Sequence, residues 1–278
     1  MISKMDIKDN YYWKRKFEDD YIRGRLSLEY EYDVNWENIY KNLRGWGWIG
    51  ILFVEEDNPD YVDLAIYVYE NMDVVDNIGS ELNSGLSWAA RLGNIKIVER
   101  LLEDTRSDPS DSYNEALREA SFNGKILVVN RLLDDPRVDP ACEGIHDIDS
   151  YYRTPLEDAI VGNSLVVINR LLQDIRVDPT ANFHLSIIYA ADGGNVDIIE
   201  RLLLDSRIDP SIYENYLIRS AAENGNLSTI NLLLKDNRVD PTAHNNEALK
   251  SAIKRGDKDI IERFLQDQRV QLIYNEEK

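Results

Sequence analysis

One pattern in the 278-residue chain has the composition of a chemical site: Asp-x-Arg, an apolar or small residue, then Asp-Pro. It reads at Asp104 to Pro109, Asp135 to Pro140, Asp174 to Pro179, Asp205 to Pro210 and Asp236 to Pro241. Two carboxylates and a guanidinium per copy are raw material for a metal site or an acid–base pair. The spacing points elsewhere. Prolines 109, 140, 179, 210 and 241 follow one another at 31, 39, 31 and 31 residues, and self-similarity at such a period marks a solenoid. Stacked copies would align aspartates and arginines into a ladder of inter-repeat salt bridges and capped turns, because Asp before Pro is an ordinary turn residue. A calcium site would need several carboxylates and carbonyls converging within one copy. A sixth copy, Phe264 to Val270, ends in Gln271-Leu272 and reads as a terminal cap.

Other chemistry is sparse. His146, His184 and His244 fall in the turns of separate copies, and Cys142, four residues before His146, makes a weak pair with it. Zinc needs three or four converging ligands. The chain carries no phosphate-binding Gly-rich loop, no Gly-x-Ser-x-Gly and no His-Glu-x-x-His. The expectation is a non-enzymatic protein without metal, cofactor or catalytic residues.

The elements between the turns follow from the same alignment. Ala89, Ala120, Ala159, Ala190, Ala221 and Ala252 share one register, with Leu86, Leu117, Leu156, Ile187, Ile218 and Leu249 three residues earlier. Gly93, Gly124, Asn163, Gly194, Gly225 and Gly256 come four residues after each alanine. Each unit therefore predicts a short helix with small residues facing its neighbour. A left-handed stop follows, then a longer apolar helix such as Ile126 to Leu133, which the Asp-Pro turn ends.

Composition bounds the rest. A hydrophobic fraction of 43% with 16 Tyr and 5 Trp supports a folded chain. Net charge is −19; residues 1–50 are neutral, and the remainder carries 23 basic and 42 acidic residues. That field disfavours nucleic acid and anionic membrane surfaces and suits a basic protein partner. A single cysteine, no apolar run near 18 residues and a polar start point to an intracellular, cytoplasmic protein.

The sequence divides into an aromatic-rich segment 1–50, a degenerate capping repeat over 51–80 and six repeats over 81–278. In the first, Trp13, Phe17 and Tyr21 form one helical stripe, and Trp36, Ile39, Tyr40 and Leu43 another. Trp13, Trp36 and Tyr40 resemble the segment that follows the F-box in F-box proteins, although no F-box stands ahead of them. That resemblance implies a substrate adaptor of a ubiquitin ligase as an alternative function. A self-associating structural or virion component is a third reading.

The repeats resemble the ankyrin family. Thr154-Pro155-Leu156 followed by Ala159 matches its Thr-Pro-Leu-His-x-Ala motif, and the closing Val-Asp-Pro stands where the family has Val-Asn-Ala. The flavour resembles ankyrin-rich proteins of giant DNA viruses and amoebae. The resemblance implies an all-α, ankyrin-type helix-turn-helix solenoid whose fingers, at a 31-residue period, are trimmed to turns, with a small helical N-terminal segment. Glu157 replaces the motif's histidine, and most units lack Thr-Pro, so the family's inter-repeat hydrogen bonds are not expected. Residues 141–153 carry eight extra residues at a finger. The implied function is a protein-interaction scaffold working through its concave face and finger turns. Tyr113, Phe122, Tyr151, Tyr152, Phe183, His184, Tyr213 and His244 are the candidate protein-binding residues.

Overall fold

The computed structural model describes residues 78–142, 144–146 and 150–276. The aromatic stripes at Trp13 and Trp36 and nearly all of the expected capping repeat lie outside them. The described residues fall into two compact units. One runs to Ala120 and continues over Lys125–Asp139; the other comprises Ser121–Gly124 and everything from Pro140.

Both units are built of helical hairpins. The first contains α1 (Ile78–Leu92), α2 (Ile95–Glu103), most of α3 (Asp111–Phe122) and α4 (Ile126–Leu133). The second contains α5 (Pro155–Val161), α6 (Leu165–Leu171), α7 (Ala181–Gly193), α8 (Val196–Leu203), α9 (Ile212–Asn224), α10 (Leu227–Leu233), α11 (Ala243–Arg255), α12 (Lys258–Leu265) and α13 (Gln268–Glu276). Strands β1 (Gly144–His146) and β2 (Ser150–Tyr152) pair antiparallel, with Ile145 opposite Tyr151. The 39-residue repeat therefore has a finger where the 31-residue repeats have a turn. The architecture is otherwise the all-α solenoid the period implies.

The core sits where the alignment puts it. The six register alanines are at most 2% exposed, and the apolar residue three before each is at most 1% exposed. Small side chains let successive first helices approach. Each buried Leu, Ile or Val beside them contributes roughly 1.5–3 kcal/mol. The reversal residues Gly93, Gly124, Asn163, Gly194, Gly225 and Gly256 all adopt positive φ, between 58° and 87°, as a left-handed stop requires. Asn195, Asn226 and Asp257 then start α8, α10 and α12, each side chain accepting a hydrogen bond from the backbone N–H three residues on. Gly162 has a different reason. Its backbone lies so close to Phe122 that a Cβ would stand 1.9 Å from the Phe122 carbonyl oxygen.

The trimmed fingers are more than loops. In four repeats, three consecutive residues are left-handed: Ser112-Tyr113-Asn114, Asn182-Phe183-His184, Tyr213-Glu214-Asn215 and His244-Asn245-Asn246. Left-handed backbone is costly for residues with a Cβ, by about 1–2 kcal/mol each, and Asn tolerates it best. Such turns persist only where the surroundings hold them.

Candidate functional site

The Asp-x-Arg copies are structural clamps. In each of the six, the first Asp accepts from the backbone N–H and the guanidinium of the Arg two residues on, through both carboxylate oxygens. The guanidinium holds Asp104, Asp135, Asp174, Asp205, Asp236 and Asp267 below the usual carboxylate range. Carboxylates so engaged are poor bases and poor metal ligands. The expected ladder needs one correction: the ion pairs lie within a turn, and what joins repeats is the other arm of four of the six arginines. Nη1 of Arg137 donates to the Ser107 carbonyl at 2.8 Å, Arg207 to Val177 at 3.2 Å, Arg238 to Ile208 at 3.0 Å and Arg269 to Val239 at 2.7 Å. A guanidinium can do this because its fork has donors to spare after pairing one carboxylate.

In four of the five copies the Asp before Pro is a turn cap. Asp108, Asp178, Asp209 and Asp240 accept from the backbone N–H and hydroxyl of Ser110, Thr180, Ser211 and Thr242. Those bonds, the backbone one first, hold Asp178 and Asp209 below the usual range.

Two of the four left-handed turns are held from two sides. Arg118 donates to the Tyr113 and Ser112 carbonyls, and Arg219 to those of Glu214 and Tyr213. The third residue of the turn reaches the next repeat: Asn114 pairs with both N–H and C=O of Asp139, and Asn215 accepts from the Asp240 N–H at 2.7 Å. In the first unit, Asn83 accepts from the Asp108 N–H in the same way. Inter-repeat hydrogen bonds are therefore made by asparagines that the Thr-Pro-Leu-His motif does not contain.

The 39-residue repeat also makes one, through the residue that replaces the histidine. Thr154 and Glu157 form a reciprocal capping box, and the fully buried Glu157 carboxylate accepts from Asn182 of the next repeat at 3.1 Å. Burial pushes its pKa up to about 7, against the hydrogen bonds from Thr154 and Asn182. Asp158 beside it pairs with Arg153 at 2.6 Å.

Three of the candidate binding residues come together. Phe183 is 75% exposed and Tyr213 52% exposed, and the Tyr213 hydroxyl donates to the Phe183 carbonyl. In the next repeat, exposed His244 contacts Glu214. This forms a ridge of left-handed residues across three repeats of the second unit. His184 stands at the position Asn occupies in the other three turns; it is half-buried, its Nδ1 enclosed without a partner among the described residues. Tyr113 occupies the equivalent turn of the first unit, half-buried, and Phe122 lies at the opposite end of α3 from it, 42% exposed. Tyr151 and Tyr152 are consecutive residues of β2. Glu214, which couples two turns of the ridge, was absent from the sequence candidates; nothing but its place beside Tyr213 could have marked it.

Among the described residues no three His, Cys, Asp or Glu side chains form a metal-ligand group, and no helix is long and apolar enough to cross a membrane. Residues 186–273 match the family model described as ankyrin repeats, in three copies. No curated protein matches the chain. The matched segment covers most of α7 and the whole of α8 to α12, and the same Asp–Arg clamps recur ahead of it at Arg106, Arg137 and Arg176.

Proposed function

From an ankyrin-repeat array over residues 186–273, we propose a non-enzymatic scaffold that binds a protein partner through the ridge Phe183, Tyr213 and His244. The observation that carries this reading is the combination of exposure and rigidity. Two large aromatics stand in the open, the Phe183 carbonyl held by Tyr213 of the next repeat and the Tyr213 carbonyl by Arg219. Aromatic anchors on pre-ordered backbone lose little entropy on binding and dominate interfaces. The net charge of −19 suits a basic partner. The finger of the 39-residue repeat stands two strands long beside the ridge-bearing repeats in sequence and extends the same reading.

The test is affinity capture from lysate with the parent and a Phe183→Ala/Tyr213→Ala/His244→Ala variant of equal circular dichroism. The expected result is a protein retained by the parent and lost by the variant. Retention by both would move binding off the ridge. In that event the adaptor reading, which rests on Trp13, Trp36 and Tyr40, is tested by pull-down of a ligase adaptor subunit, and self-association by light scattering.

A further inference from the structure

The last repeat keeps a lock whose key is missing. In the turns that hold Asn114 and Asn215, the asparagine side chain pairs with the backbone of the residue 25 positions on, at the Asp before Pro. Asn246 stands in the same left-handed turn, φ 57°, and is 1% exposed like Asn114. Neither its Oδ1 nor its Nδ2 has a partner among the described residues. The residue 25 positions on is Gln271, and its N–H is spent on the Asp267 carbonyl at 3.0 Å, inside α13.

Up to that point the sixth copy is complete. Arg269 clamps Asp267 and reaches back to Val239, and Val270 is fully buried, as Val239 and Ile208 are in their repeats. The copies part at Gln271-Leu272, where others have Asp-Pro. Proline would forbid a helix and hold the preceding residue extended. Leucine permits the chain to coil onward into α13, and Leu272 ends up 67% exposed. The helix therefore forms at the expense of a buried carboxamide, which is among the costlier ways to leave a polar group.

We propose that α13 is a displaceable end cap with two arrangements. In one, residues 268–276 are helical and the Asn246 carboxamide is unpaired. In the other, the chain runs extended at Gln271, the Gln271 backbone pairs with Asn246 as Asp139 pairs with Asn114, and the end of the α11–α12 hairpin is uncovered. The occupant of the slot is the chain's own Gln271 backbone. A ligand that binds either end state selectively would shift the balance between them.

Amide hydrogen exchange on the full chain, read at residues 271–276, tests this. Asn246→Leu removes the competing partner and fills the space, so exchange there should slow by roughly tenfold, the worth of one unsatisfied buried group. Leu272→Pro should abolish protection over 271–276 while α11 and α12 keep theirs. Unchanged exchange in Asn246→Leu would overturn the proposal, as would loss of α11 protection in Leu272→Pro. The control is Asn215→Leu, in which α11 should lose protection because there the lock is in use.

Discussion

In the second unit, α5 starts at Thr154 with extended backbone, φ −66° and ψ 159°, whereas α9 starts behind three left-handed residues, Tyr213 to Asn215. Both starts face the same need: the first N–H groups of a helix lack intrahelical partners, and the repeat must be tied to its neighbour. Thr154 meets it with a capping box whose Glu157 is also the tie, accepting from Asn182. The left-handed start splits the work. Ser211 O accepts the Asn215 N–H, Arg219 caps the turn's carbonyls, and the Asn215 side chain is the tie. The first solution stores its cost in a buried carboxyl, and the second in strained backbone. One is sensitive to pH and the other to side-chain identity.

The largest effect that would break this contrast is Asn215→Ala. It places a Cβ residue with no side-chain amide at φ 61° and strips the Asp240 N–H of its acceptor. A loss of about 2–4 kcal/mol is expected in denaturant unfolding. A loss below about 0.5 kcal/mol would mean the turn is held by its other contacts.

Next comes Glu157→Gln. The folded chain keeps a proton on Glu157 up to about pH 7, while an unfolded chain releases it near 4.5. Between those values the folded state binds more protons, so stability falls as pH rises, by about 3 kcal/mol across the window. Glutamine should flatten that slope and raise the melting temperature at pH 8, with little change at pH 4. An unaltered pH profile would remove Glu157 as its origin.

Gly225→Val sharpens the comparison at the other end of the helix. Gly225 has φ 75°, and a Cβ there would stand 2.5 Å from Nη2 of Arg255. The flexible arginine can move, so the backbone term remains, at about 1–2 kcal/mol. Melting temperatures equal to the parent's would sink the assigned reversal.

The smallest expected effect is Arg238→Lys. An ammonium can keep Asp236 but cannot also span to the Ile208 carbonyl, so about 1 kcal/mol should be lost. Calorimetry on Arg238→Lys and Arg238→Ala should give similar losses if the inter-repeat arm is what matters.

Much of this was readable in the residues. The alanine register, the reversal glycines and the buried Val239-type positions are side-chain identities doing one job at a fixed period, and they predicted the hairpins. The left-handed turns were hidden because positive φ is usually announced by glycine, and Ser112-Tyr113 or Tyr213-Glu214 announce nothing. Only Asn at the third position hinted at it. The arginine clamp was visible as a charge pair, but its second acceptor is a backbone carbonyl, which every residue carries and no residue advertises. The replaced histidine read as a loss, since the role of Glu157 depends on Asn182, a full repeat away. Of the candidate binding residues, Phe183, Tyr213 and His244 share an edge because the turns stack. Phe122 does not, because it lies at the other end of its helix.

The direction of the clamps bears on how the chain is made. In four of the clamp arginines the Nη1 bond runs from the later repeat to a carbonyl of the earlier one, 30 residues upstream. A chain leaving the ribosome meets each donor when its acceptor is already in place. Repeats of this kind depend on nearest neighbours alone, and short sequence separations favour fast closure. These four bonds can thus form vectorially during synthesis, each fastening its hairpin to the one before.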